Sequence, residues 1–243
     1  MLMITPKHLL PLGLLASVTA VVWSFATIEL RAHGDVTPQA VDTSGLPSLG
    51  EEWLEENPWR DPNGEYWEAA LEVGSSAYNQ NCARCHGLGA VSGGLAPDLR
   101  KLEANMSGDE WYLERFRNGY TQNGITKMPG FGELLGQEAA WAIRTYTETR
   151  PGENAMEPHL DTLQGHRDAL NEHVASGKSA ESNAEQLTTV KDSLVEIAGK
   201  LETASGAPKA DSAPRRAAAA LDGSDAGVAA AAEILTIGLP AAK

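Results

Sequence analysis

The sequence predicts an all-α protein on three observations. Apolar residues recur at helical spacing in 65–81 and 139–150, and a Ser-x-x-Glu capping signal precedes an aromatic-rich run at 107–118. In the C-terminal part, Leu, Val and Ile repeat with alternating steps of three and four. Aromatic residues divide the 243-residue chain: all five tyrosines and five of the six tryptophans lie between Trp53 and Tyr146, and none follows. Because large rings supply most of a core's burial, a packed domain is expected over 65–150, with a helical, partly disordered extension over 151–243.

Residues 1–32 read as a secretory signal. Lys7 and His8 precede an apolar run from Leu9 to Ile28, and Ala32 is the residue before the expected cut. The run is long enough to serve instead as an uncleaved anchor, and either outcome exports the rest of the chain. Residues 33–64 are rich in Pro, Gly and acid and show no period, so they are expected to form an irregular lead-in that lays its tryptophans on the domain.

The first helix is expected from Glu65 to about Asn81, with Trp67, Ala70, Gly74 and Ala77 on one face and Glu65 and Glu68 near the positive end of its dipole. Residues 87–106, with four glycines and Pro97, read as a loop. Ser107 and Glu110 form the capping box of a second helix, which Asn118-Gly119 stops. Residues 119–132 read as a second loop, around Lys127-Met128-Pro129-Gly130-Phe131. Ala139, Ala142, Ile143 and Tyr146 then give a final helix, ending near Pro151. In the extension, Leu160, Leu163, Leu170 and Val174 form one stripe. Leu187, Val190, Leu194, Ile197 and Leu201 form another, and the simplest partner of each stripe is the other, as a helical hairpin or small coiled coil. Residues 204–225 read as a flexible linker by composition, before an Ala-rich helix over about 226–235.

Cys82-Ala83-Arg84-Cys85-His86 is a Cys-x-x-Cys-His run, the signature of c-type haem attachment. Placed at a helix end, thiols three residues apart share a face and reach two vinyl groups of one porphyrin. His86 then turns its imidazole under the iron. A zinc site would need four ligands, and the chain has no other cysteine; a redox dithiol would be expected after a strand. For the sixth iron ligand the candidates are Met106, Met128, then Met156 or a tail histidine. Met128 is favoured because Pro129 and Gly130 fix a loop able to hold a thioether, while Met106 reads as a core residue. Near Pro97, eleven residues after His86, a backbone carbonyl could accept the imidazole Nδ1 proton; a plain loop proline is the alternative.

With these residues in view, 65–150 resembles a class I cytochrome c, with Gly74, Tyr78, Cys82, Cys85, His86, Pro97, Met128 and Tyr146 standing where that family places its helix-crossing glycine, aromatics and haem ligands. The resemblance implies one covalent haem c and a Gly74–Tyr146 contact between the first and last helices. More narrowly, Glu56-Asn57-Pro58-Trp59-Arg60, Tyr78-Asn79-Gln80-Asn81 and Lys127–Phe131 are similar to soluble monohaem cytochromes c that take electrons from periplasmic quinoprotein alcohol dehydrogenases, which contain pyrroloquinoline quinone. The resemblance therefore implies a periplasmic electron carrier, not an enzyme, with such a dehydrogenase as donor and a terminal oxidase or another cytochrome as acceptor.

Two alternatives stay open at this point: a haem enzyme or sensor with an open distal site, and a cytochrome subunit docked in a larger dehydrogenase complex through its tail. A formal charge of −14 argues against nucleic acid and anionic lipid surfaces, so membrane association is expected only if the N-terminal segment is uncleaved. Six of the nine cationic residues between 33 and 150 (Arg84, Arg100, Lys101, Arg115, Arg117 and Lys127) fall in the haem-binding segment. They are read either as propionate partners and a basic docking rim or as dispersed solvated charge.

Overall fold

The computed structural model describes residues 38–239. The leader, signal or anchor, therefore lies outside the described residues. Among those described, no helix is long and apolar enough to cross a membrane.

Among the described residues there are eight α-helices, four single 3-10 turns and one short hairpin. Helix α1 is Trp67–Asn81 and buries Trp67, Ala70, Gly74, Ala77 and Tyr78, the predicted face. A four-residue turn, α2 (Ala83–His86), follows directly. Helix α3 is Met106–Asn118, and its cap differs from the capping-box reading: the Asn105 side chain accepts from Gly108 N, which places Ser107 inside the first turn. Gly119, at φ 72°, ends it as expected. Where a loop was read, β1 (Tyr120–Gln122) pairs antiparallel with β2 (Ile125–Met128) around Asn123-Gly124, both at positive φ. Helix α4, Gly132–Glu148, starts about two turns before the periodic residues that begin at Ala139 and kinks at Gly136.

The α1–α4 crossing is the centre of the first core. A Cβ on Gly74 would lie 1.9 Å from the Ala142 carbonyl oxygen, so only glycine permits this approach. The Tyr78 and Tyr146 rings meet there with centroids 5.3 Å apart. The lead-in is irregular, as expected, with Trp59 buried and Trp53 packed on the same cluster. What pins it is a buried polar network that the sequence reading did not foresee. Arg60 bridges Asp109 of α3 (2.7 Å) and Glu148 of α4 (3.0 Å), Arg144 reaches Asp109 at 2.8 Å, and Asn57 donates to Glu148 and Thr145. Burial raises the pKa of Glu148 more than Arg144 and Arg60 lower it.

The extension carries α5 (Leu160–Ser176), α6 (Ala184–Lys200), α7 (Ala213–Ala220) and α8 (Asp225–Gly238). Both predicted stripes are helical, but their main partners are not each other: α5 packs on α8 and α6 on α7, and α7 lies on α8. Side chains still join α5 and α6, through His166 Nε2 and Ser193 Oγ at 2.8 Å.

Residues 204–225 depart from the linker reading, because they contain α7 and a buried junction with the first core. Pro151 and Thr203 form an antiparallel bridge, Gly152 N donates to Glu202 O, and Asp211 N donates to Thr149 O. Asp211, fully buried, takes ion pairs from Arg150, Arg215 and Arg216, and Arg215 also reaches Glu68 of α1 at 2.8 Å. Arg215 and Lys209 sit over the Trp67 ring. Burial alone would raise the pKa of Asp211, but Arg150, Arg216 and Arg215 outweigh it and hold the carboxyl well below the ordinary aspartate range.

Candidate haem site

Cys82 closes α1, its N–H donating to Tyr78 O at 2.8 Å, and its own carbonyl then accepts from Cys85 N (3.1 Å) and His86 N (2.9 Å). That single turn sets the two cysteines and His86 in immediate succession. The chain leaves it through Gly87, at φ 85°, where a Cβ would fall 1.9 Å from the Val91 carbonyl oxygen. Tyr78 Oη donates to Gly87 O at 2.8 Å, so the first helix itself braces the turn.

His86 is 8% exposed, and its Nδ1 lies 2.9 Å from the Pro97 carbonyl. A carbonyl only accepts, so the proton sits on Nδ1 and the lone pair on Nε2, the tautomer a metal ligand requires. Burial lowers the His86 pKa, and the Pro97 contact opposes that shift. The two thiols are free rather than joined as a disulfide. Burial, with a smaller contribution from Cys85, pushes the Cys82 thiol up to about 12.

Met128 ends β2, half-buried, and packs on the same apolar cluster as Cys82 and Leu102. Its loop is clamped to the end of α3. A Cβ on Gly119 would meet Met128 O at 2.4 Å, one on Gly130 would meet Arg117 O at 2.7 Å, and Phe131 N donates to Phe116 O. The competing ligands sit in other surroundings than the Cys82 cluster. Met106 is 55% exposed on the first turn of α3, which corrects its reading as a core methionine. Met156 is buried in the extension's own core, and His173 and His166 belong to α5. Of the six cations read as a possible rim, Arg100 pairs with Asp98, Lys101 with Glu153 and Arg115 with Glu114, and Arg117 stacks on Trp53. Arg84 and Lys127 are exposed.

The fold and this turn define a class first: a small helical module built around a Cys-x-x-Cys-His turn, with a thioether on the same cluster. Two unlinked thiols, an imidazole presenting Nε2 and a neutral sulfur donor fit a covalently held haem. Comparison with known proteins agrees. The family model described as cytochrome c oxidase, cbb3-type, subunit III matches residues 69–146. Cytochrome c550 of Pseudomonas aeruginosa is 58% identical over 118 residues, 49% of this chain and 81% of that protein. Two Pseudomonas putida proteins match shorter stretches of the chain. Quinohemoprotein alcohol dehydrogenase ADH IIB is 33% identical over 91 residues, 37% of this chain and 12% of that protein. Quinohemoprotein alcohol dehydrogenase ADH-IIG is 36% identical over 78 residues, 32% and 10%. The chain thus spans about a tenth of either dehydrogenase. No solved structure matches at a significant level. The chain belongs to the c-type cytochromes. As a member it carries covalently bound haem c and is an electron carrier, not an enzyme.

Proposed function

We propose that the protein is an exported, periplasmic one-electron carrier that accepts electrons from a quinoprotein alcohol dehydrogenase and passes them toward a terminal oxidase or another cytochrome. The observation that carries the reading is the orientation of His86 by the Pro97 carbonyl directly after the paired cysteines. Haem c supplies a one-electron iron couple when bound. In this reading Cys82 and Cys85 would hold it through thioether links, and His86 Nε2 would offer its lone pair to the iron. The Pro97 carbonyl fixes the ring and makes the imidazole more basic. Met128 would offer the iron a soft sulfur, which would favour the ferrous state. With His86 and Met128 both given to the iron, the protein would exchange electrons through a small transient contact with a partner.

Support for the donor class comes from the two quinohemoprotein alcohol dehydrogenases that match about a third of this chain, and support for export comes from the signal-like residues 1–32 and the cytochrome c550 relative. The test is to mix oxidised protein with a purified pyrroloquinoline quinone alcohol dehydrogenase and its alcohol while following the haem α band. Prompt reduction, slowed by salt where docking is ionic, is the expected result; no reduction above the dehydrogenase-free control removes the donor assignment.

A further inference from the structure

Pro97 is the first residue of a short segment whose geometry is set by one ion pair. Asp98 caps the turn Leu99–Lys101, its Oδ1 accepting from Arg100 N at 3.1 Å. The Arg100 guanidinium then folds back on the same carboxylate, Nε to Oδ1 at 3.0 Å and Nη2 to Oδ2 at 2.6 Å. Both side chains are largely buried, 8% exposed for Arg100 and 16% for Asp98. Of the neighbouring cations, Lys101 acts on Asp98 more weakly than Arg100 and pairs at the surface with Glu153, while Arg150 and Arg216 pair with Asp211. A fork on its own carboxylate two residues away is a rigid clamp, and it adjoins the carbonyl that holds His86.

We infer that Asp98 and Arg100 are positioning residues for the haem ligand: the pair holds the Pro97 carbonyl against His86 Nδ1, and Arg100 cancels a carboxylate that would otherwise bias the iron toward its ferric state. The inference rests on the reading of His86 as an axial ligand. The charge argument follows from Coulomb's law at partial burial. An uncompensated negative charge near the imidazole stabilises the more positive oxidation state, and an uncompensated positive charge stabilises the other.

The test uses the full-length holoprotein and its midpoint potential. Arg100→Gln leaves the Asp98 carboxylate without its cation, and the ferric to ferrous ratio at fixed ambient potential should rise about tenfold, a fall of about 59 mV for a one-electron couple. Asp98→Asn keeps a cap acceptor but leaves Arg100 unpaired, so the shift should have the opposite sign. The double variant, neutral at both positions, should return to within about threefold of the parent, the non-additivity that marks a coupled pair. A purely structural clamp predicts shifts of one sign for both single variants. That pattern, or single variants within about threefold of the parent while the ferric spectrum is retained, overturns the inference. If Arg100→Gln does not accumulate as a red protein, Asp98→Asn and the double variant still decide the sign. Failure of the ligand reading itself would look different: His86→Ala would then leave the parent's ferric spectrum unchanged.

Discussion

Between residues 38 and 150 the buried apolar set includes Trp59, Trp67, Tyr78, Tyr112, Phe116, Phe131, Trp141 and Tyr146, whereas from 151 to 239 it is Leu, Val, Ile, Ala and Met156 alone. The cytochrome module packs rings against one close helix crossing. The extension packs short side chains between four helices, and each contact removes less apolar area from water. Their buried charges differ in the same way. The module's network balances Arg60 and Arg144 against Asp109 and Glu148, while the junction asks Asp211 to serve Arg150, Arg215 and Arg216 together. At the junction one carboxylate thus gathers three guanidinium groups beside a set of backbone hydrogen bonds, whereas in the module Asp109 and Glu148 share two.

The largest expected effect strikes the module's crossing. Gly74→Val places a side chain in the Ala142 backbone and should cost about 4 kcal/mol or more, seen as loss of soluble red protein. Next comes Asp211→Ala, which leaves Arg150 and Arg216 without their carboxylate and Arg215 with Glu68 alone, at a cost of about 3–5 kcal/mol. Urea denaturation should then split into two transitions, the extension melting first while the module keeps its haem spectrum. Acid should act at the same point. The folded pKa of Asp211 lies below its unfolded value, so this contribution is complete above about pH 5 and lost as pH falls through the carboxylate range. Glu148 is shifted upward, and its stabilisation is lost only as pH rises through its folded pKa, so acid costs the module nothing through that group. A pH titration of limited proteolysis should find the extension released before the module opens, and Asp211→Asn should flatten the acid limb.

A smaller effect is confined to the extension. Leu194, fully buried in α6, should cost about 3 kcal/mol when replaced by alanine, lowering the first urea transition and leaving the haem spectrum untouched. The smallest has the opposite sign. A Cβ on Gly199 meets nothing within 4 Å, so Gly199→Ala should stabilise α6 by about 0.5–1 kcal/mol, measurable as a raised midpoint for that transition.

Sequence periodicity was enough to place α1, α4, α5 and α6, because each buries a stripe whose spacing is written in its own residues, and alanine content placed α8. The Cys82–His86 turn was legible for a similar reason, its chemistry being local. The hairpin escaped because both of its strands are solvent-exposed and show no alternation; Asn123-Gly124 was the signal available. The junction escaped for a deeper reason. Residues 204–225 look disordered by composition, but their order comes from Asp211 meeting Arg150, 61 positions away, and no local window contains both. The Asn57–Asp109–Glu148 network was hidden by the same long separations. At α3, Asn105 won the cap over Ser107 because its side chain lies three residues before Gly108 N.

Peptide mapping of the exported protein by mass spectrometry tests the site most directly. The account predicts one haem remaining on the denatured peptide that contains Cys82 and Cys85, with neither cysteine open to alkylation. A bare peptide in which both thiols alkylate freely would contradict it.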